Sequence, residues 1–181
     1  MALTKQAIVG AALAILDDYG LADLTMRRVA DSLGVQAGAL YYHVPNKQSL
    51  LAAVADHILA ERPAVSTPGD PGETLRLWGR GLRSVLLTHR DAAELVASTQ
   101  VLGLGEVDPC LEGREALIAA GLQQPDATMA ALLHFILGHV TGEQTRLQLA
   151  QLSVATAPDE AASERDFEWG LGLMIRGICG R

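Results

Sequence analysis

The sequence predicts an all-α protein with a small amino-terminal three-helix domain and a larger carboxy-terminal helical domain. Alanine and leucine together number 57, against 19 for valine and isoleucine, and this ratio favours helix over strand. Apolar residues recur at helical spacing throughout, and no strand-like alternation persists anywhere. A segment rich in proline and glycine, 63–72, separates the two parts. With 181 residues, 49% of them apolar and 19% charged, the chain can bury a sizeable core.

The first domain is defined by short helices with clear start and stop signals. Thr25 and Asn46 are expected to cap helix starts, Gly20 and Gly34 to end helices in left-handed conformations, and Pro45 to stop a third helix. The helices predicted from these signals and from apolar spacing cover 4–19, 26–33, 36–43 and 47–61. We therefore expect residues 1–62 to form one domain, with 47–61 as its connecting helix.

The second domain, 63–181, is expected to hold the remaining helices. Its first helix carries a stripe from Leu75 to Leu86, and the segment from Met129 to Val140 is apolar nearly all round, which predicts burial on more than one side. The later helices are predicted at 91–101, 107–121, 126–150 and 160–179, with a loop over 151–163.

Composition and motifs narrow the functional class. No apolar run approaches the roughly 20 residues of a membrane span, the start does not read as a secretory signal, and the two cysteines, Cys110 and Cys179, fit a reducing cytosol. No nucleophile elbow, HExxH motif or CxxC pair occurs, so neither an enzyme nor a cofactor is expected. The net charge is −7, about −1 of it in residues 1–62, so any nucleic-acid binding must come from local placement of charge.

Residues 24–47 carry the functional signal. A short helix, a tight turn at Gly34 and a second short helix form the order of a helix-turn-helix. A helix of about seven residues is roughly 10 Å long and fits a DNA major groove about 12 Å wide. Its outward face should then carry small or hydrogen-bonding side chains, and the residues at these positions are Gln36, Ala37, Gly38 and Ala39.

Groups suited to phosphate contacts surround that face. Helix amino termini at Thr25 and Asn46 add backbone donors, and the candidate phosphate-binding side chains are Thr25, Arg27, Arg28, Tyr41, Tyr42, His43 and Lys47. A plainer alternative is that Tyr41 and Tyr42 are packing residues at a helix end and His43 an ordinary surface residue. The joint pattern favours DNA binding.

The same residues resemble the DNA-binding domain of the tetracycline-repressor (TetR) family of regulators. The resemblance covers about 4–60, is carried by LTMRRVADSLGV (24–35), GALYYHV (38–44) and NKQSLL (46–51), and is closest to the tetracycline repressors themselves. It implies a homodimer joined by a four-helix bundle, with the amino-terminal domain on operator DNA and the remainder holding a small effector. A weaker resemblance continues at LLTHRD (86–91) and HFILG (134–138).

The resemblance also implies positions for a drug–magnesium chelate, and this chain departs from them. A gapless alignment places Val96 and Gly142 where that subfamily has a histidine and an acidic residue, so we expect the architecture without the metal-dependent drug site. Glu143 is one residue away and would offer a carboxylate if the alignment slips. His139 and Glu143 share a helix face, and a surface pair is favoured there over a metal site.

Packing as in the family would define two further sets of residues. Each member of the first set is individually more often ordinary core, but as a group they predict an effector pocket: His57, Trp78, Leu82, Val96, Thr99, Gln100, Met129, His134 and Leu137. The second set predicts the dimer interface: Ile136, Val140, Phe167, Leu171, Met174, Ile175 and Ile178.

The sequence thus predicts a repressor that leaves a palindromic operator when a small molecule binds. The alternatives are an enzyme built on a helical bundle, for which no catalytic constellation is found, and a ligand-sensing or protein-binding module that no longer binds DNA. The near-zero charge of residues 1–50 leaves the second alternative open.

Overall fold

A computed structural model describes residues 3–65 and 69–180. All regular elements in these two ranges are helices, as predicted, and none of them is long and apolar enough to cross a membrane. A single 3₁₀ turn, Leu21–Asp23, accompanies the α-helices, which are α1 Lys5–Tyr19, α2 Met26–Ser32, α3 Ala37–Leu40, α4 Lys47–Ala60, α5 Pro71–Leu87, α6 Ala92–Leu102, α7 Leu111–Ala119, α8 Pro125–Gln151 and α9 Glu160–Cys179.

Side-chain caps fix the starts of the early helices. The hydroxyl of Thr25 accepts the backbone N–H of Arg28 at 3.1 Å, and the side-chain oxygen of Asn46 accepts that of Ser49 at 2.8 Å. Both caps were predicted, and each satisfies a helix N–H that has no partner inside the helix. Gly20 closes α1 at a positive φ of 87°, although its ψ of 174° is not that of a left-handed helix.

Two predicted helices are shorter in the structure. The helix expected over 36–43 is regular only from Ala37 to Leu40 and continues as turns, in which the N–H groups of His43 and Val44 both donate to the carbonyl of Leu40 at 2.9 Å. The helix expected over 107–121 spans only Leu111–Ala119, since Asp108 turns the chain by accepting the N–H of Cys110 at 2.9 Å.

The predicted connector over 63–72 is only partly described. Residues 63–65 have no regular structure, residues 66–68 lie outside the described ranges, and Pro71 and Gly72 already belong to α5. Proline suits that position because its missing N–H would have no helical partner there.

The chain forms two compact units, which do not follow chain order. The first consists of Met1–Glu61 and Leu86–Val107. Within it, α4 packs against both α1 and α6, and α2 packs against α1 and α3. Its fully buried side chains include Ile8, Leu16, Val29, Leu40, Leu50, Ile58 and Leu95.

The second unit consists of Arg62–Val85 and Asp108–Arg181. Here α8 packs against α7 and α9, and α5 approaches α9 closely: a Cβ added at Gly79 would lie 3.0 Å from Leu171. The fully buried side chains include Leu75, Trp78, Leu82, Leu132, Ile136 and Leu171.

Candidate functional site

The helix-turn-helix is formed by α2, a turn at Gly34 and α3. Gly34 has a φ of +66°, which favours glycine, and the N–H of Val35 donates to the carbonyl of Ala30 at 3.0 Å. On the inner side, Leu40 and Val44 are 0% and 1% exposed. They anchor α3 to the core, so the opposite side of this short helix is turned outward.

That outward side carries the residues expected to read DNA. Gln36, Gly38 and Ala39 are exposed, and a Cβ added at Gly38 would meet no heavy atom within 4 Å. Tyr41 is 51% and Tyr42 90% exposed, so Tyr42 is not a packing residue within this chain. Another molecule can therefore approach this outward tip, residues 36–42, without obstruction by the protein itself.

The two adjacent arginines differ in availability. The side chain of Arg27 is 90% exposed and its Nε lies 3.9 Å from Asp31, a distance that leaves its donors accessible. Arg28, in contrast, donates to Asp23 and lies over the ring of Tyr19, 3.8 Å from the ring centre. Arg27 is the better placed of the two for a phosphate contact.

The remaining candidate residues frame the tip. Thr25 is exposed while it caps α2, Lys47 is the first residue of α4, and Ala37 is half-buried. His43 packs edge-on against Tyr42 with ring centres 5.3 Å apart. Two helix starts, a lysine and a histidine thus surround one exposed face.

The predicted effector residues fall in both units. In the first unit, Val96 and Thr99 are buried, and the Thr99 hydroxyl lies 3.0 Å from the carbonyl of Val96, so its polarity is satisfied locally. Gln100 is half-buried and His57 exposed. The Nε2 of His57 lies 3.8 Å from Glu61.

In the second unit, four of the predicted pocket residues are buried core: Trp78, Leu82, Met129 and Leu137. The indole N–H of Trp78 donates to the carbonyl of Pro109 at 2.6 Å. His134 is exposed. A cleft of about 480 Å³ lies between the start of α5 and the ends of α7 and α9 and is lined in part by Arg76, Arg176 and Cys179; none of the predicted effector residues lines it.

Comparison with known proteins identifies the family. Residues 8–54 match the family described as bacterial regulatory proteins, tetR family, and residues 66–162 match the tetracyclin repressor-like C-terminal domain. The chain belongs to the TetR family.

Three similar proteins resemble it over nearly their full length. The tetracycline repressor protein class A from transposon 1721 of Escherichia coli is 33% identical, covering 99% of this chain and 92% of that protein. The crystal structure of Mycobacterium smegmatis BioQ is 38% identical with a TM-score of 0.91, covering 99% of both chains. A structure of BioQ with its double-stranded DNA operator is 38% identical with a TM-score of 0.85, covering 99% of this chain and 100% of that one.

The two residues that this TetR-family chain has at the positions expected for a magnesium–drug site offer no metal ligand. Val96 is apolar and fully buried, and Gly142 has no side chain. Glu143 is 5% exposed, and its Oε1 lies 2.7 Å from Arg83 and 3.3 Å from Nε2 of His139. The surface pair expected for His139 and Glu143 is therefore wrong, since the pair is buried and shared with an arginine that the sequence did not link to it.

The residues expected at the dimer interface need a correction. Five of the seven are buried within the single chain and have no surface left to offer a partner: Ile136, Val140, Phe167, Leu171 and Ile175. Met174 and Ile178 are half-exposed and line a shallow groove of about 370 Å³ with Ala127 and Ala131 of α8. Helical spacing identified the apolar face of α9 but not that this chain covers it.

Sequence reasoning missed the exposed apolar residues of α9. Trp169 is 66% and Leu173 50% exposed, on the side of α9 away from its buried stripe. Their only sequence signal is an aromatic and an aliphatic residue at four-residue spacing, among charged neighbours. On α8, His134 shares the exposed side with Ala131 and Gly138, which separates it from the buried members of the predicted pocket.

Proposed function

We propose that this TetR-family protein is a homodimeric transcriptional repressor that leaves a palindromic operator when a small effector binds, and that it acts in the cytoplasm without enzymatic activity. The observation that carries the proposal is the outward tip of α3. Glutamine and small side chains stand exposed there, while Leu40 and Val44 anchor its inner side. The operator complex of its relative BioQ supports the same role.

In this proposal, the exposed residues divide into two roles. Gln36 hydrogen-bonds a base edge, and Ala37, Gly38 and Ala39 permit close approach to the groove floor. Phosphate contacts come from the groups around the tip: Thr25, Arg27, Tyr41, Tyr42, His43 and Lys47. Arg28 helps less directly, because its contacts with Asp23 and Tyr19 brace the start of α2.

Two copies place two reading tips in successive major grooves, about 34–36 Å apart. We propose that the interface consists of the exposed sides of α8 and α9, with Trp169, Leu173, Met174 and Ile178 as its apolar centre. The small residues Ala131 and Gly138 would let the paired helices approach closely.

The carboxy-terminal residues, 63–181, would hold the effector as well as the interface, with 1–62 on DNA. An effector relieves repression only if it binds one state of the dimer better than the other. The buried residues around Trp78, Leu82, Met129 and Leu137 remain the proposed lining of its apolar part. No magnesium is required, because Val96 and Gly142 offer no ligands.

The test begins with selection of duplexes from a random pool by the purified protein, followed by titration of the selected duplex. Gln36→Ala should change the selected bases, since a side-chain pair to a base edge contributes about 1–3 kcal/mol of discrimination. Tyr42→Ala should weaken binding to all duplexes alike. Val101→Ala is the matched control, because Val101 is 88% exposed on α6 and lies outside the helix-turn-helix.

Failure to enrich any duplex would overturn the repressor and favour a sensing module without DNA binding. An unchanged consensus for Gln36→Ala would remove this residue from base reading. Lys47→Ala should lower the slope of log affinity against log salt by about 0.9 if the ammonium neutralises one phosphate.

The interface is tested by sedimentation. Leu173→Asp should give monomers, whereas Ile118→Asp, at a residue 58% exposed on α7, should leave dimers. Deletion of 160–181 is a poor test, because Phe167, Leu171 and Ile175 belong to the core of the chain itself. A dimeric Leu173→Asp protein would overturn this interface.

A further inference from the structure

One imidazole in the first unit contacts two carboxylates from two different helices. His89 lies in the turn between α5 and α6. Its Nδ1 lies 3.0 Å from Asp17 at the carboxyl end of α1, and its Nε2 lies 3.3 Å from Glu61, the residue after α4. The His89 side chain is only 12% exposed, and those of Asp17 and Glu61 are 38% and 43% exposed.

This geometry is sensitive to one proton. A neutral imidazole has a single N–H, while an ionised carboxylate only accepts hydrogen bonds. With neutral His89, one of the two carboxylates therefore faces a nitrogen lone pair at close range. Only the imidazolium donates to Asp17 and Glu61 together, so only the protonated ring holds both helix ends.

The turn around His89 is seated on the end of α1 by further bonds. The N–H of Arg90 donates to Asp17 at 3.3 Å, and the carboxylate of Asp91 accepts the N–H of Leu21 at 2.8 Å. A Cβ added at Gly20 would lie 2.7 Å from that Asp91 carboxylate, so the approach requires glycine. These bonds do not involve the imidazole and hold the turn on α1 in either protonation state.

The attachment to α4 depends more on His89. Glu61 follows the last residue of α4, and the ring of the exposed His57 lies 3.8 Å from its carboxylate. Further along α4, the carboxylate of Asp56 accepts the N–H groups of Glu106 and Val107 at 2.9 and 3.0 Å. Loss of the His89–Glu61 contact would thus remove one restraint from the carboxyl end of α4, while Ile58 and Leu59 keep its last turn in the core.

The carboxylates of Asp17 from α1 and of Glu61 after α4 face the two nitrogens of His89, and His57 of α4 lies on the other side of Glu61, 3.8 Å from its carboxylate. Burial lowers the pKa of His89, but the hydrogen bonds that its ring donates to Asp17 and Glu61 and the charges of both carboxylates outweigh it, so the pKa lies above its ordinary value of 6.5. The two carboxylates therefore favour the imidazolium over the neutral ring.

We propose that His89 is a protonation-dependent latch between the carboxyl ends of α1 and α4, and that its release as the pH rises weakens operator binding. The DNA part of this inference rests on the proposed function. A latched α4 holds the helix-turn-helix that precedes it in a narrower range of positions, so less motion has to be frozen when the tips enter DNA. Release restores that motion and lowers affinity.

Glu61→Gln provides the decisive variant. The amide can donate through its nitrogen to neutral Nε2 or accept through its oxygen from protonated Nε2. The contact then survives in both protonation states, and the pH dependence of the latch should disappear. His89→Gln removes the ring, and Glu115→Gln is the matched control, because Glu115 is exposed on α7 in the second unit.

Two measurements test the latch without DNA. Titration by NMR should give a pKa for His89 above 6.5 in the wild type and a lower pKa in Glu61→Gln. Because the folded pKa is raised, the stabilisation is complete below about 6.5 and is lost as the pH rises through the folded pKa. The melting temperature of the wild type should therefore fall by about 2–4 °C between pH 6 and pH 8.5, relative to Glu61→Gln.

The DNA measurement uses the duplex selected by the wild type. Between pH 6 and pH 8.5, wild type and Glu115→Gln should lose on the order of fivefold more affinity than Glu61→Gln. Any pH effect of the DNA-binding residues themselves is common to these proteins and cancels in the comparison.

A His89 pKa at or below 6.5, or identical melting profiles for wild type and Glu61→Gln, would overturn the latch. A latch that titrates while the affinity ratio stays constant would overturn its role in regulation. If no duplex is bound at all, the proposed function fails, while the NMR and melting measurements still decide the latch.

Discussion

The buried ion pair between Arg83 of α5 and Glu143 of α8 gives a quantitative test of how the second unit is held together. The guanidinium donates to the carboxylate at 2.7 Å, with side chains only 17% and 6% exposed. His139 lies 3.3 Å from the same oxygen, and the guanidinium lies over the ring of Phe167, 5.2 Å from its centre. Three helices therefore meet around this pair.

Removal of one partner leaves the other charge buried. Glu143→Leu would strand the Arg83 guanidinium, whose Nε is already buried without a hydrogen-bond partner among the described residues. The loss of one partner from a buried ion pair costs about 3–5 kcal/mol of unfolding free energy. Because the Arg83 side chain keeps some exposure, we expect a loss of about 3 kcal/mol. For a chain of this size, that corresponds to a melting temperature lower by about 6–12 °C.

The double variant Arg83→Met with Glu143→Leu removes both charges and fills similar volume. Replacement of a buried pair by apolar side chains is often neutral or stabilising, so we expect a stability within about 1 kcal/mol of the wild type. The matched control is Glu168→Leu, which breaks the more exposed pair between Arg80 of α5 and Glu168 of α9. It should cost about 1 kcal/mol or less.

Chemical denaturation followed by circular dichroism at pH 7 and at one fixed protein concentration measures all these variants, since association would add to the apparent stability. A cost for Glu143→Leu no larger than that for Glu168→Leu would refute the buried-charge reasoning. A double variant as unstable as the sum of its single variants would refute it as well, because the lost stability would then come from packing.

Three further outcomes follow from neighbouring contacts. Gly170→Ala should destabilise by about 1–3 kcal/mol, because the new Cβ would lie 2.6 Å from the ring of Phe135; an unchanged denaturation midpoint would contradict this. The hydrogen bond from Arg80 lowers the pKa of Glu168 below 4.5, so the stabilisation by this pair is present above about pH 4.5 and is lost as the pH falls through the pKa of the folded state. The stability of Glu168→Gln should therefore fall less steeply in acid than that of the wild type. Identical profiles of stability against pH would count against the pair. Burial raises the pKa of Cys110 to about 11, so only about one in a thousand Cys110 side chains is ionised at pH 8. In the native protein, Ellman's reagent should therefore react with Cys179 and not with Cys110. Rapid reaction of a Cys179→Ser protein would contradict this.

The sequence predicts the helices well wherever local chemistry determines them. Thr25 and Asn46 cap the helices they were expected to cap, and α9 has the predicted bounds of 160–179. Errors occur where the chain turns beside an apolar pattern, as after Leu40 at the end of α3 and at Asp108 before α7. Caps and turns act within a few residues, so a single sequence contains nearly all of this information.

The exposed reading tip is likewise accessible to sequence reasoning. Leu40 and Val44 are apolar at four-residue spacing, and the residues between Gln36 and Ala39 are small or polar. This contrast predicts which side of a short helix faces inward, and the structure confirms it. The sequence did not predict that Arg28 packs against Tyr19, because Tyr19 belongs to another helix.

What the sequence cannot supply is the identity of partners far apart in the chain. His89 and Asp17 are separated by 72 residues, and Arg83 and Glu143 by 60. No periodicity links such positions, because their proximity results from how whole helices pack. The same limit explains the corrected interface: spacing predicts that the side of α9 carrying Leu171 is apolar, but an apolar side is buried equally well by α5 of the same chain or by a second copy. The exposure of each side chain in the single chain distinguishes burial by α5 from burial by a second copy. It moves the expected interface to the side of α9 that carries Leu173.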